Sequence, residues 1–149
     1  MGFFDRIRKG KLFFGKKVPS VVVKFFFRGQ TYILEEFDID FNQAMDEKNH
    51  PCDEMRGGII TLTISEPPSE QLTEWMINSY EKRDGEFHFF RNDGKIREGA
   101  IMYILFRDAY CTACHKTAHP QGAGLLTTLV IMPRWVRIGN EEFENKWKS

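Results

Sequence analysis

The run from Arg56 to Met76 constrains the fold more than any other part of the chain. Ile60, Leu62 and Ile64 alternate with Thr61 and Thr63, which is the two-residue period of a strand with one buried face. Pro67 and Pro68 offer no N–H to a ladder, so that strand must stop before them. Leu72, Trp75, Met76 and Tyr80 then recur at three- and four-residue spacing. This is the single apolar stripe of a short amphipathic helix, with Glu70, Gln71, Glu74 and Asn78 left for solvent and Trp75 and Met76 expected in the core. No other segment of the folded part makes a convincing helix. The chain is therefore predicted to be mainly β, with one short α-helix.

The remaining pattern supplies the strands. Val21 to Phe27 is three valines and three phenylalanines broken only by Lys24, followed by a tight turn at Arg28-Gly29-Gln30 and a return strand from Thr31 to Phe41. From Asn42 to Met55 periodicity vanishes, and loops of that length in a compact domain are functional or disordered. After the helix, Asp84-Gly85 is read as a turn into an aromatic strand ending at Arg91, and Asn92-Asp93-Gly94 as a hairpin turn into a strand that starts near Lys95 and ends near Tyr110. Cys111 to Gly124 is read as a loop. Leu125 to Ile138 is read as one long strand in which Pro133 must mark a bulge, a bend or an edge. Asn140 to Ser149 is a tail in which Phe143 and Trp147 are candidate anchors.

A chain of 149 residues with 21 basic and 21 acidic side chains fits one domain with a real core, and the balance gives no general argument for nucleic acid as a partner. The balance hides an asymmetry. Arg6, Arg8, Lys9, Lys11, Lys16 and Lys17 face only Asp5, about +5 over residues 1–17, so the rest carries roughly −5. Residues 1–20 are thus expected to be a basic, flexible arm, and residues 21–149 the folded domain. The arm has no apolar run long enough for a secretory signal, and no segment approaches the roughly 18 apolar residues of a membrane span, so stable membrane insertion is not expected. Three cysteines, an odd number, agree with folding in a reducing cytoplasm.

Val21 to Phe27, Ala100 to Phe106 and Leu125 to Met132 are apolar on both faces, whereas a lone antiparallel barrel shows cleaner alternation. The second face can be covered by the helix and the long loops, or by neighbouring copies.

Several strings, in order, carry a family resemblance: Arg56-Gly57-Gly58 opening an Ile/Leu/Thr strand, Leu72-Thr73-Glu74-Trp75-Met76, Tyr80, Asp84-Gly85, Asp108-Ala109-Tyr110-Cys111, Ile138-Gly139-Asn140 and Asn145-Lys146-Trp147. From about Val21 to Trp147 the chain resembles the type VI secretion tube protein (Hcp, or TssD), particularly the Bacteroidetes-type version. The resemblance implies a small antiparallel β-barrel of two packed sheets with one helix. It also implies hexameric rings stacked into a hollow tube that a contractile sheath expels, with room for effectors in the lumen. The implied partners are other copies of the chain, the sheath, spike and baseplate proteins, and effectors; the implied destination is outside the cell, reached without a signal peptide. No catalytic site and no cofactor are implied. The loop that begins at Asn42 corresponds to the family's extended loop that reaches a neighbouring subunit. This makes Asn42, Gln43, Asp46, Glu47, Lys48, Asn49, His50, Arg56, Gly57 and Gly58 the candidate subunit interface. Gly57 and Gly58 would serve either a close approach to a neighbour or a plain turn.

Two features depart from the family. One is the basic arm in front of the first strand, which could touch anionic membrane, a sheath, a cargo protein or the lumen. The other is Cys111-Thr112-Ala113-Cys114-His115 with His119, where the family carries small polar residues. Taken alone it matches a haem-attachment pattern or a closely spaced zinc knuckle. Haem attachment needs an exported chain, zinc would need a very tight turn, and a coincidental composition is the plainer reading. No metal is therefore assigned, with Cys111, Cys114, His115 and His119 held as candidates for a zinc- or haem-binding alternative. A barrel binding single-stranded nucleic acid is disfavoured by the acidic folded part. No nucleophile elbow, phosphate-binding Gly loop or zinc-protease helix points to an enzyme.

Overall fold

The computed structural model describes residues 21–42, 56–78, 80–91, 99–122 and 124–144. They form eight strands and one helix: β1 (Val21–Phe27), β2 (Gln30–Asn42), β3 (Arg56–Ile64), α1 (Glu70–Ile77), β4 (Arg83–Arg91), β5 (Met102–His119), β6 (Gly124–Met132), β7 (Trp135–Ile138) and β8 (Glu141–Glu144). Every pairing is antiparallel, and the ladder runs β1-β2-β3-β6-β5-β4 and back to β1, a closed six-stranded barrel. Two long strands make the closure. β2 pairs with β1 near its start and with β3 beyond Leu34, and β5 pairs with β4 up to Ala109 and with β6 from Tyr110 onward. Each thus passes between the two sheets of the barrel. β7 and β8 form a hairpin added to the first half of β5.

The inward residues follow from the period of two. On β1, Val23, Phe25 and Phe27 are buried while Val22, Lys24 and Phe26 are half-buried. Phe25 stacks on Phe87 with centroids 4.9 Å apart, and Phe37 meets Phe89 edge to face at 5.1 Å. The helix closes one end of this aromatic interior. Its fully buried Trp75 lies parallel to Phe27 at 5.1 Å and to Phe106 at 6.2 Å, and the indole Nε1–H donates to the carbonyls of Glu81 and Ala109. A buried indole needs such a partner, so the two carbonyls fix its orientation. Ser69 caps the helix by accepting from the Leu72 N–H at 3.1 Å, and its own N–H donates to the Tyr32 hydroxyl at 2.8 Å. The helix start is therefore tied to β2.

The turn at Arg28-Gly29 is as expected, with φ of 46° and 82° at its two central residues, the left-handed pair of a tight hairpin. Five expectations are corrected. Tyr80 lies beyond the helix and is 88% exposed, because α1 ends at Ile77 and the Asn78 N–H bonds back to Glu74. Asp84-Gly85 is not a turn but part of β4, at a bulge where Asp84 Oδ1 accepts from the Asp108 N–H. Cys111 to Gly124 is not a loop: β5 continues through it to His119 and pairs with β6 along its length. Leu125 to Ile138 is two strands, yet Tyr110 pairs with Met132 and Arg107 with Trp135, so one register survives the corner at Pro133. There Arg134 donates to the carbonyls of Arg107 and Asp108, and Asp108 takes φ 50°. The tail begins as β8, where Phe143 packs on Phe41 at 4.7 Å. The arm, the Asn92-Asp93-Gly94 turn and Trp147 lie outside the described residues.

Gly85 sits under the rings of the core. A Cβ there would be 2.6 Å from Phe106 Cζ and 3.1 Å from Phe25 Cε1, and buried rings cannot swing aside. Gly85→Ala is expected to lower stability by about 1–3 kcal/mol through overpacking. Trp75→Ala, which opens the barrel end, is expected to cost about 3–5 kcal/mol. Urea denaturation followed by far-UV circular dichroism measures both.

Candidate functional site

The loop read as reaching a neighbour springs from a defined base. Asn42, the last residue of β2, pairs through its backbone with Arg56, the first of β3, so the two strand ends that flank residues 43–55 lie side by side. Gln43, Asp46, Glu47, Lys48, Asn49 and His50 lie outside the described residues. Gly57 and Gly58 are within β3 rather than at a turn, and Gly58 is buried. A Cβ at Gly58 would meet Ile39 Cγ1 at 2.6 Å and Phe41 Cζ at 3.2 Å. The small residue is therefore needed within the subunit, where the β2 side chains cross over it.

Two surfaces expected only in outline from the two-faced strands and sheet edges take definite form in the structure. The first is the outside of the sheet built from β1, β4 and the start of β5. Lys24 pairs with His88 and His88 with Tyr103 across the ladder, so these side chains share the outer face with Phe26 and Phe90. His88 lies 4.3 Å from the Phe26 ring and 4.7 Å from that of Tyr103, Lys24 Nζ sits 5.2 Å over Phe90, and His88 Nε2 is 3.4 Å from Glu86 Oε1. Tyr103 and Ile101 are about half exposed. The helix leaves this face uncovered, because its apolar stripe points into the barrel. The alternating signal was visible in the sequence as a strand apolar on both faces, but only the register reveals which rings touch.

The second surface is the far end of the β5–β6 hairpin. From Ala113 to His119 no described strand pairs with the other edge of β5, and Gly124 to Leu126 on β6 likewise extend beyond their pairing with β3. Leu125 is about half exposed there. Free strand edges are templates for another chain.

The four metal candidates do not converge. Cys111 is buried and Cys114 is exposed, while His115 and His119 continue along the extended strand toward its tip. At about 3.3 Å per residue, Cys111 and His119 stand on the order of 25 Å apart, too far for one zinc ion. Among the described residues no group of three or more His, Cys, Asp or Glu is placed to hold a metal. No described helix is long and apolar enough to cross a membrane.

Burial pushes the Cys111 thiol up from 9.0 to about 11, and the charge of nearby Cys114 adds to the rise. The folded state therefore keeps a proton that the unfolded chain releases. This contribution to stability is complete below about pH 9 and is lost as pH rises through about 11. Denaturant midpoints measured between pH 8 and pH 11 should fall more steeply for the native chain than for Cys111→Ala, by on the order of 2 kcal/mol in total.

The barrel has close counterparts among solved structures. Hcp1 from Flavobacterium johnsoniae superposes with a TM-score of 0.73 at 26% identity, covering 83% of this chain and 99% of that one. Hcp1 from Salmonella typhimurium gives 0.63 at 8% identity over 83% of this chain and 91% of that one, a likeness of fold alone. The same holds for the sheath/tube terminator of an extracellular contractile injection system, PVC, with 0.53 at 16% identity over 83% and 96%. A search of curated proteins finds no match. The family model of the hemolysin coregulated protein Hcp (TssD) matches residues 19–148, which span the whole of the described barrel, so the chain belongs to the Hcp (TssD) family of secretion tube proteins.

Proposed function

We propose that this chain is a structural, non-catalytic subunit that closes into hexameric rings, which stack into the hollow tube of a type VI secretion system. The observation that carries this is the family match across residues 19–148 on a closed barrel whose outer sheet face carries aromatic rings that no described helix covers. A head-to-tail contact that closes by rotation makes a ring, and a second contact between ring faces makes a tube. The aromatic face around Phe26, His88 and Tyr103 and the free edges of the β5–β6 hairpin are the surfaces such contacts would use. The loop of residues 43–55, with Asn42 and Arg56 at its base, is assigned to the contact with a neighbour. Residues 1–20 are assigned to a basic arm and residues 21–149 to the barrel. Sheath, spike and baseplate proteins are the expected partners, effectors the expected cargo, and expulsion with the tube the route out of the cell.

Native mass spectrometry of the full chain is expected to show a species of roughly six times 17.5 kDa that dissociates to monomer. Replacing residues 43–55 by a Gly/Ser segment of equal length should weaken association at least about tenfold and leave the circular dichroism spectrum unchanged. A strictly monomeric chain at high concentration in several buffers contradicts the proposal.

A further inference from the structure

β2 leaves an edge open where the chain enters the barrel. It pairs with β1 only over Gln30 to Ile33 and with β3 from Leu34 onward, so from Glu35 to Asn42 no described strand pairs with its other edge. Phe37 is buried and Ile39 packs against the core, and the two-residue period therefore turns Glu36, Asp38 and Asp40 outward, where all three are exposed. Across the ladder stand Thr63, Thr61 and Ile59 of β3, and beyond them Thr128 and Val130 of β6, with no cation among them. Among the described residues Asp38 and Asp40 have no ion-pair partner.

The start of the described chain lies beside this edge. Extending the β1–β2 register upstream from the Lys24–Ile33 pair sets Val21 level with Glu36 and Lys17 level with Asp40. Four extended residues reach about 13 Å, the length of β2 from Glu36 to Asp40, so Lys16 and Lys17 are within range of both aspartates. On its other side Val21 pairs with Arg91, a cation that repels a basic segment. Residues 1–17 are such a segment, with Arg6, Arg8, Lys9, Lys11, Lys16 and Lys17 against Asp5 alone.

We propose that the basic arm docks on its own barrel, along the open edge of β2, with Lys16 and Lys17 against Asp38 and Asp40. Opposite charges side by side on one sheet face attract, and like charge on the β4 side turns the arm away from it. Exposed Ile59, which pairs with Asp40, gives the nearby Phe13 and Phe14 an apolar spot to cover. The occupant is the same chain's arm, because its tether at Val21 keeps it at high effective concentration beside the edge. An arm held there covers backbone N–H and C=O groups that are otherwise a template for another chain. The docking does not depend on ring formation.

The test treats the full chain with a carbodiimide, which joins a lysine amine to a carboxylate only where the two touch, and maps the links by mass spectrometry. Links from Lys16 and Lys17 are expected on Asp38 and Asp40, in the band of single-chain mass on a denaturing gel. Sodium chloride at about 1 M, where screening acts within about 3 Å, should lower their yield at least about fivefold. In the double variant Asp38→Asn, Asp40→Asn, trypsin should cut after Lys16 and Lys17 about tenfold faster, with the circular dichroism spectrum unchanged because both side chains are exposed. Links spread evenly over other exposed carboxylates such as Glu74 and Glu142, or found only in bands of two or more chains, overturn the proposal. So does a yield indifferent to salt, or native cleavage rates in the double variant. The mass of the native assembly bears on the ring alone, so the two readings fail separately.

Discussion

The stack of rings that ends on Trp75 is the contact on which the rest of the molecule depends. A barrel of six strands has an interior wide enough to need large side chains, and here phenylalanines from β1, β2, β4 and β5 supply them. Such an interior is open at its ends unless something plugs it. Trp75 does so, lying against Phe27 and Phe106 while its indole N–H ties the helix to the carbonyls of Glu81 and Ala109. The proline pair stops β3 at the rim, the Ser69 cap turns the chain into α1, and the Tyr32 hydroxyl anchors that cap to β2. The buried side of this helix, Leu72 and Trp75, is directed into that closure.

That arrangement decides what is left for other molecules. With the helix pointing inward, the outer face carrying Phe26, His88, Phe90 and Tyr103 is covered by no described helix, and beyond Cys114 no described strand pairs with the outer edge of β5. Both would be liabilities in a protein that stayed single, since exposed apolar sheet surface and unpaired edges invite association. Under the proposed assembly they are the surfaces that a neighbouring copy would cover. The closed barrel behind them supplies the rigidity that a stacked polymer requires.

How much of this was legible in the sequence follows from which residues face two environments. Ile60, Leu62 and Ile64 alternate with threonines because β3 turns one apolar face into the core along that run, and the strand and its stop were readable directly. Residues 111–119 read as a loop because beyond the buried Cys111 both faces of the strand meet solvent, so composition carried no period while the backbone still paired with β6. Asp84-Gly85 looked like a turn because the same residues serve a bulge, and Gly85 is there to admit the Phe106 ring. Pro133 was readable as an interruption, but not as a corner through which one register continues. The base of the 43–55 loop was legible through family strings.

Assembly is the central claim, and negative-stain electron microscopy of the purified full chain tests it most directly. The account predicts rings with six-fold symmetry and a central hole in end views, and stacks of those rings in side views at higher concentration. Class averages holding only compact single particles of subunit size, across concentrations and buffers, would contradict it.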